Sequence, residues 1–303
     1  MPPLHLQFGY YPARLSFSVG PVCVDELDNL ENKMRELDES PQVERDWLYS
    51  PPQRSVSLLG RTTIHPYHSR VFGLPKTHSI AHAAADGSDH LIFLVWALSF
   101  FAGIRLTTTE AGFLDATPVK PNKLVDFIVG KNDLIAAIER ADRFWSDNHS
   151  DQKRADLLAA AIHALFLSQN PRHLQFEEFM LLYASLDAIY ALMRLLTKQA
   201  AASHNDRIQW MCSHYSIPTP YWADTYHSKK TELAALRNGT FHEALYMGEP
   251  LGFALHGLGT NRNMNLEIRA LICRLLVAIL GGEQSDYVRS RLDTRGKYGL
   301  KFS

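Results

Sequence analysis

Residues 237–243 read Arg237-Asn238-Gly239-Thr240-Phe241-His242-Glu243. A permanent cation, a carboxamide and a titratable imidazole fall within this one short stretch. It lies in a C-terminal half whose apolar residues repeat at helical spacing. On one uninterrupted helix Arg237 and His242 stand ~140° apart, at ~100° per residue, and could not act together on one group. Asn238 and Gly239 are the residues that best tolerate the left-handed conformation ending a helix. Thr240, with Glu243 three positions later, fits a capping box. The stretch therefore predicts a helix ending at Arg237, a bend, and a new short helix with His242 in its first turn. There His242 lies beside free N–H groups that favour anions, and the bend brings the two side chains together.

Working outward, the chain from residue 123 onward reads as helical. Leu158, Ile162, Leu165 and Phe166 form one stripe, ended by Asn170-Pro171. A longer helix is expected over about 174–200, with Phe176, Phe179, Met180, Tyr183, Leu186, Tyr190 and Met193 on one face. Further helical segments are expected near 205–215, from Trp222 to Arg237, and from Leu266 to Leu280, the last stopped by Gly281-Gly282. These segments together suggest a bundle of four or five helices over 123–285. The stretch 286–303, with Arg289, Arg291, Arg295, Lys297 and Lys301, reads as a basic tail leaving the core.

Residues 1–122 follow a different pattern. Leu6-Phe8-Tyr10 and Leu15-Phe17-Val19 alternate as half-buried strands do, punctuated by Pro12 and Gly20-Pro21. Residues 24–38 suit a short surface helix, and 39–53, with three prolines, a loop. Strand-like patches recur at Ser55–Leu59 and Val71–His82, an apolar helix is expected at 90–103, and Ile104–Thr109 is rich in β-branched residues. The fold class is thus α+β: a β-rich N-terminal module, then an all-α bundle.

The chain has 303 residues and a formal net charge of −1, with 31 basic and 32 acidic residues. No whole-protein field draws in nucleic acid, so RNA binding would need a local basic patch. Cys23, Cys212 and Cys273 are odd in number and scattered, which suits a reducing compartment better than a disulfide framework. The start, Met-Pro-Pro-Leu-His, lacks a basic region followed by an apolar run, so no signal peptide is expected. The apolar run Leu91–Gly103 is too short to span a bilayer. A cytoplasmic protein without a membrane partner is the expectation.

The residue types at 237–243 suit one chemistry. Cleavage of RNA by its own 2′-hydroxyl needs a proton-transfer group with a pKa near neutrality, which histidine supplies. It also needs a fixed positive charge on the crowded phosphate, which arginine supplies in forked geometry. A capping box and an ordinary helix junction account for the same residues without function. Arg237-Asn238-x-x-x-His242, preceded by a helix inside an all-helical segment, resembles the signature of HEPN-domain ribonucleases, with the likeness covering roughly residues 150–282. It implies a small helix bundle that pairs as a homodimer and cleaves single-stranded RNA, transfer RNA among the candidates, without metal or cofactor. On that resemblance Arg237 and His242 are the catalytic pair and Asn238 positions them. The family often carries a polar residue on the preceding helix. Asp187 is the candidate, because it shares a stripe with Tyr183 and Tyr190, where a carboxylate is costly unless paired. An ion pair with Arg194 is the structural alternative. The resemblance further implies a toxin or phage-defence role, an antitoxin or phage-derived trigger as partner, and the N-terminal module as sensor. Some members keep the fold without catalysis, so a bundle that binds RNA or a nucleotide, or only dimerises, is the second reading.

Fourteen histidines invite a metal hypothesis. His65 and His68 fall in a proline-containing loop, and His78 and His82 are expected to share a side only if their segment is helical. Cys212-Ser213-His214 has no second cluster at structural-zinc spacing. No metal site is therefore expected.

Overall fold

The computed structural model describes residues 3–69, 74–109, 116–225, 230–252, 264–292 and 297–302. Its helices and several small sheets make the chain a mixed α+β protein. It divides into two compact units: residues 1–124 with 134–142, and residues 125–133 with 143–303.

In the first unit the N-terminal alternation becomes strand β1 (Leu4–Phe8), and the hairpin β2 (Phe17–Val19) and β3 (Val22–Glu26) follows. Gly20 makes that turn at φ 53°, a conformation that costs glycine least. Helix α1 (Leu30–Asp38) is shorter than the segment expected at 24–38, because Val24–Glu26 belong to strand β3. The region expected as a loop holds two short strands, β4 (Val43–Glu44) and β5 (Trp47–Leu48). Then β6 (Pro52–Val56) and β7 (Thr62–His68) form a two-stranded hairpin that is exposed almost throughout, with Leu58 and Leu59 at its tip. His65 and His68 thus lie on a strand rather than in a loop.

Strand β8 (His78–His82) completes a four-stranded antiparallel sheet in the order β1-β8-β3-β2. The expected patch at 71–82 is longer; its first residues, 71–73, lie outside the described residues. Against the sheet packs α2 (Ser88–Ala102), most of which is buried, and Gly103 ends it in the left-handed conformation at φ 60°. Ser99, the polar residue inside that apolar run, is satisfied twice. Its hydroxyl donates to the Val95 carbonyl at 2.8 Å and accepts from the Leu106 N–H at 3.1 Å. β9 (Thr117–Pro118) pairs with β5. The β-branched stretch at 104–109 makes one bridge, Gly9 with Thr107. Gly9 is required at that place, since a Cβ there would stand 2.0 Å from the Pro75 carbonyl oxygen.

The second unit opens with β10 (Phe127–Val129), then α3 (Lys131–Asn148), whose middle belongs to the first unit. Helices α4 (Gln152–Ser168) and α5 (Gln175–Thr197) follow; the α4 stripe is buried, as are Phe179, Tyr183, Leu186, Tyr190 and Met193 of the α5 stripe, whereas Phe176 and Met180 are half-buried. Next come α6 (Arg207–His214) and a 3₁₀ turn at Tyr221–Ala223. Then α7 (Glu232–Asn238) leads into a π turn (Gly239–Glu243) and the small hairpin β11 (Leu245–Tyr246) and β12 (Glu249–Pro250). The helix expected from Trp222 to Arg237 is therefore a 3₁₀ turn and a later α7, with 226–229 outside the described residues. α8 (Met264–Val277) packs on α4 and α5. It runs into a second π turn, where Gly281 at φ 81° breaks the helix. α5 is long and apolar enough to cross a membrane by length and composition, yet half of its most apolar window is buried inside the protein.

The C-terminal stretch corrects the expectation of a tail leaving the core. α9 (Asp286–Arg289) and β13 (Tyr298–Leu300) bury Tyr287, Val288 and Leu300, and β13 pairs in parallel with β10. The cause is Arg274, fully buried on α8. It donates to Asp126 Oδ2 at 3.0 Å, to the Ser290 hydroxyl at 2.8 Å and to the Arg291 carbonyl at 3.2 Å. Tyr287 donates to the other oxygen of Asp126 at 2.5 Å. A buried guanidinium needs such partners, and the C-terminal segment provides several of them. Arg295 lies outside the described residues.

Candidate functional site

Arg237 is the penultimate residue of α7, whose start is capped by Thr231 accepting from the Ala234 N–H at 3.1 Å. The bend expected after Arg237 does not occur. Asn238 and Gly239 keep right-handed helical angles, φ −65° and −56°, and the helix widens into the π turn. Thr240 is inside that turn rather than at an N-cap, and its hydroxyl donates back to the Leu236 carbonyl at 2.8 Å. The turn closes with the Ala244 N–H on the Gly239 carbonyl, and Ala244 itself is left-handed at φ 56°. Gly239 is needed for close approach and not for its angles: a Cβ there would meet the Leu245 carbonyl oxygen at 3.1 Å.

Widening the helix solves the spacing problem that the bend was invoked to solve. In a π turn, residues five apart are hydrogen-bonding neighbours instead of lying on different faces. Arg237 Nη1 donates to His242 Nε2 at 2.6 Å and to Asn238 Oδ1 at 3.1 Å. Arginine is always a donor, so His242 Nε2 accepts and the imidazole proton of the neutral ring lies on Nδ1. His242 is exposed, Arg237 half-buried. Arg237 Nε is buried without a hydrogen-bond partner, a costly state for a charged donor. The guanidinium carbon also stands 5.8 Å from the centre of the exposed Phe241 ring.

Asp187 departs from expectation. Tyr183 and Tyr190 on its stripe are buried, but the Asp187 side chain is 48% exposed, so the cost of burying a carboxylate does not apply. Its partner is Arg207 at 3.0 Å, not Arg194, which lies 5.9 Å from the Tyr190 ring. Among the described residues Asp187 makes its ion pair with Arg207 and not with Arg237. It bounds the same surface through Tyr183, whose hydroxyl lies 2.9 Å from His204 Nε2 and whose ring is 5.9 Å from Phe241. Burial first, then the Asp187 charge, push the Tyr183 phenol up to about 12, against the pull of Arg237 and Arg207. His204 is held below its ordinary value by burial, by Arg207 and by Arg237, with Asp187 opposing.

Sequence reading missed Tyr183, His204 and Arg207. Tyr183 was hidden in an apolar stripe. His204 lies in the Ser203–Asp206 turn and Arg207 opens α6, and no short-range spacing ties them to Arg237.

A second histidine cluster lies in the first unit. His82 Nε2 and His90 Nε2 both reach Asp142 Oδ1, at 3.0 and 2.8 Å, with all three side chains largely buried. The ligand atoms lie within 4.8 Å of one another, so by separation alone these residues could hold a cation, a group the sequence reading did not find. One hydrogen bond opposes this. The Ala84 N–H donates to His82 Nδ1 at 3.1 Å, which places the neutral ring's proton on Nε2, pointing at Asp142. A ligating histidine usually has the reverse arrangement, its second nitrogen donating outward. Burial pushes the Asp142 carboxyl up, but hydrogen bonds from His90 and His82 outweigh it and hold the group below the usual carboxylate value. His78 and His82 share the buried face of β8 because side chains four apart on a strand point the same way, which reverses the expectation that they would do so only on a helix.

Cys212 and Cys273 are buried free thiols pushed up by burial, so neither is a ready nucleophile. No protein-family model matches the chain, and no curated protein or solved structure matches it.

Proposed function

We propose that this chain is a metal-independent endoribonuclease that cleaves single-stranded RNA by attack of the 2′-hydroxyl. The observation carrying the proposal is the 2.6 Å bond from Arg237 Nη1 to His242 Nε2 across the π turn, on an exposed surface. It joins a fixed cation to an imidazole, the two components the transesterification requires. Arg237 would hold the phosphate and stabilise the charge growing on it. His242 would move a proton, and Asn238 fixes the guanidinium through its Oδ1. Asp187 acts at a distance, steering Arg207. The products would be a 2′,3′-cyclic phosphate and a 5′-hydroxyl.

The packing of α4, α5 and α8, with the motif on the adjoining α7, supports a HEPN-like bundle. From that resemblance we further propose a cytoplasmic homodimer with a toxin or phage-defence role. The N-terminal module would respond to a trigger or an antitoxin, since an unregulated ribonuclease would harm its own cell. One observation favours the second reading, a bundle that binds RNA or a nucleotide without cutting it. The lone pair of His242 Nε2 is already engaged by Arg237, so catalysis requires an arriving phosphate to draw the guanidinium away.

The two readings separate in an assay of single-stranded and transfer RNA in excess EDTA, comparing wild type with His242→Ala. Cleavage by wild type alone, leaving cyclic phosphate ends, supports the ribonuclease. RNA retention without cleavage by either protein supports the binding module.

A further inference from the structure

His204, Arg207 and Arg237 surround one buried phenol, Tyr183, in the second unit, and a second imidazole, His242, joins them through its bond to Arg237. His204, exposed in the turn before α6, places Nε2 2.9 Å from the Tyr183 hydroxyl and lies nearly parallel to the tyrosine ring, at 13° and 6.3 Å. Tyr183 packs against Phe241, the residue before His242, at 5.9 Å. Arg237 acts on both Tyr183 and His204. Arg207, three residues after His204, lies over the Tyr190 ring at 4.5 Å and holds Asp187 at 3.0 Å. These side chains come from α5, from the turn and first residue of α6, and from α7 with its π turn, so no single local motif accounts for their meeting. Two cations against one carboxylate leave the cluster suited to an anion.

We propose that His204 is the second proton-transfer group of this site, so that one chain carries both the base and the acid for RNA cleavage. The assignment rests on the ribonuclease reading. Cleavage moves two protons. The 2′-hydroxyl loses its proton to a base as its oxygen bonds to phosphorus. The bond from phosphorus to the 5′-oxygen then breaks, and an acid gives that oxygen a proton. With two imidazoles, one ends protonated and the other deprotonated, and solvent restores both; no metal or redox partner enters the balance. Partial burial, Arg207 and Arg237 hold the His204 imidazole below its ordinary value, the direction that suits a base. His242 is then the acid, its Nε2 free to carry the transferred proton once phosphate has taken over Arg237. Tyr183, which stays a neutral phenol, is a positioning residue for His204.

A merely structural His204 would serve only to satisfy the Tyr183 hydroxyl, and glutamine can do the same. The test is therefore the pH dependence of kcat/KM on a fluorogenic single-stranded RNA in EDTA, for wild type, His204→Gln and His242→Ala. The expected result is a bell for wild type, and for His204→Gln a loss of ~100-fold or more with the acidic limb removed and an unchanged unfolding midpoint. Should the glutamine lower that midpoint, Tyr183→Phe decides. It removes the same hydrogen bond but keeps the imidazole, and it is expected to lose only a few-fold and to keep the bell. A His204→Gln protein with wild-type rate and bell, beside an inactive His242→Ala, overturns the assignment and leaves the ribonuclease reading standing. A wild type that cleaves nothing removes the ribonuclease reading itself. Mixing the two inactive variants is a further check: restored activity would place the base and acid on different chains and overturn the one-chain site.

Discussion

The histidine cluster of the first unit and that of the second differ in how fully their polar atoms are partnered. Around Asp142, two buried imidazoles share one carboxylate oxygen, and His82 is also held by a backbone N–H. Around Arg237, the imidazole is exposed, the guanidinium keeps a buried N–H without a partner, and the backbone is widened into a π turn. The first arrangement gains from staying as it is. The second carries an unmet buried donor beside an exposed imidazole. Burial of histidine therefore says little about function by itself, whereas incomplete partnering beside an exposed titratable group says more.

Four substitutions or titrations can break or sharpen this contrast. The largest effect is expected from Asp142→Ala, which strands two buried imidazole donors. It should cost about 3 kcal/mol or more in urea unfolding; a change within error would mean that the cluster is not structural. His242→Ala should leave unfolding unchanged and reduce RNA cleavage by ~100-fold or more. A loss of stability with no loss of rate would invert the comparison. Next comes pH. His78, buried on β8, is pushed down to about 4 by burial, below the ordinary histidine value near 6.5. The unfolded chain then binds the proton more readily. The stability from this group is complete above about 6.5 and is lost as pH falls through about 4. Thermal midpoints between these values should fall with acid and flatten in His78→Gln. The smallest effect is expected from Asp187→Asn, which breaks a half-exposed ion pair worth about 1 kcal/mol or less. A much larger loss of stability would place Asp187 in the structural class.

What could be read from residues alone follows from range. Apolar patterns are local, so α5 and the buried part of α4 were legible in their 3.6-residue period, α2 as a continuous apolar run and the Gly20 turn from Gly20-Pro21. The residues of the candidate motif were legible too, but their geometry was not. Asn238-Gly239 favours a left-handed break in isolation, and α-helical arithmetic separates Arg237 from His242. Only the packing of Leu245 against Gly239 and the Thr240 bond to Leu236 show that the helix widens instead. The Asp142 cluster joins residues 60 and 52 positions apart, which no short-range pattern reports. The C-terminal stretch reads as a solvated basic tail because its anchor pairs Arg274, inside an apolar helix, with Asp126, just before a strand, and neither gives a local sign of the pairing.

The contrast is tested most directly by measuring cleavage rate and unfolding midpoint on the same preparations of wild type, His242→Ala and Asp142→Asn, with single-stranded RNA in excess EDTA. The expected outcome is crossed: His242→Ala loses the rate and keeps the midpoint, while Asp142→Asn loses midpoint and, at temperatures where it is folded, keeps the rate. Cleavage by His242→Ala at the wild-type rate would contradict the assignment of Arg237 and His242 as the working centre of this protein.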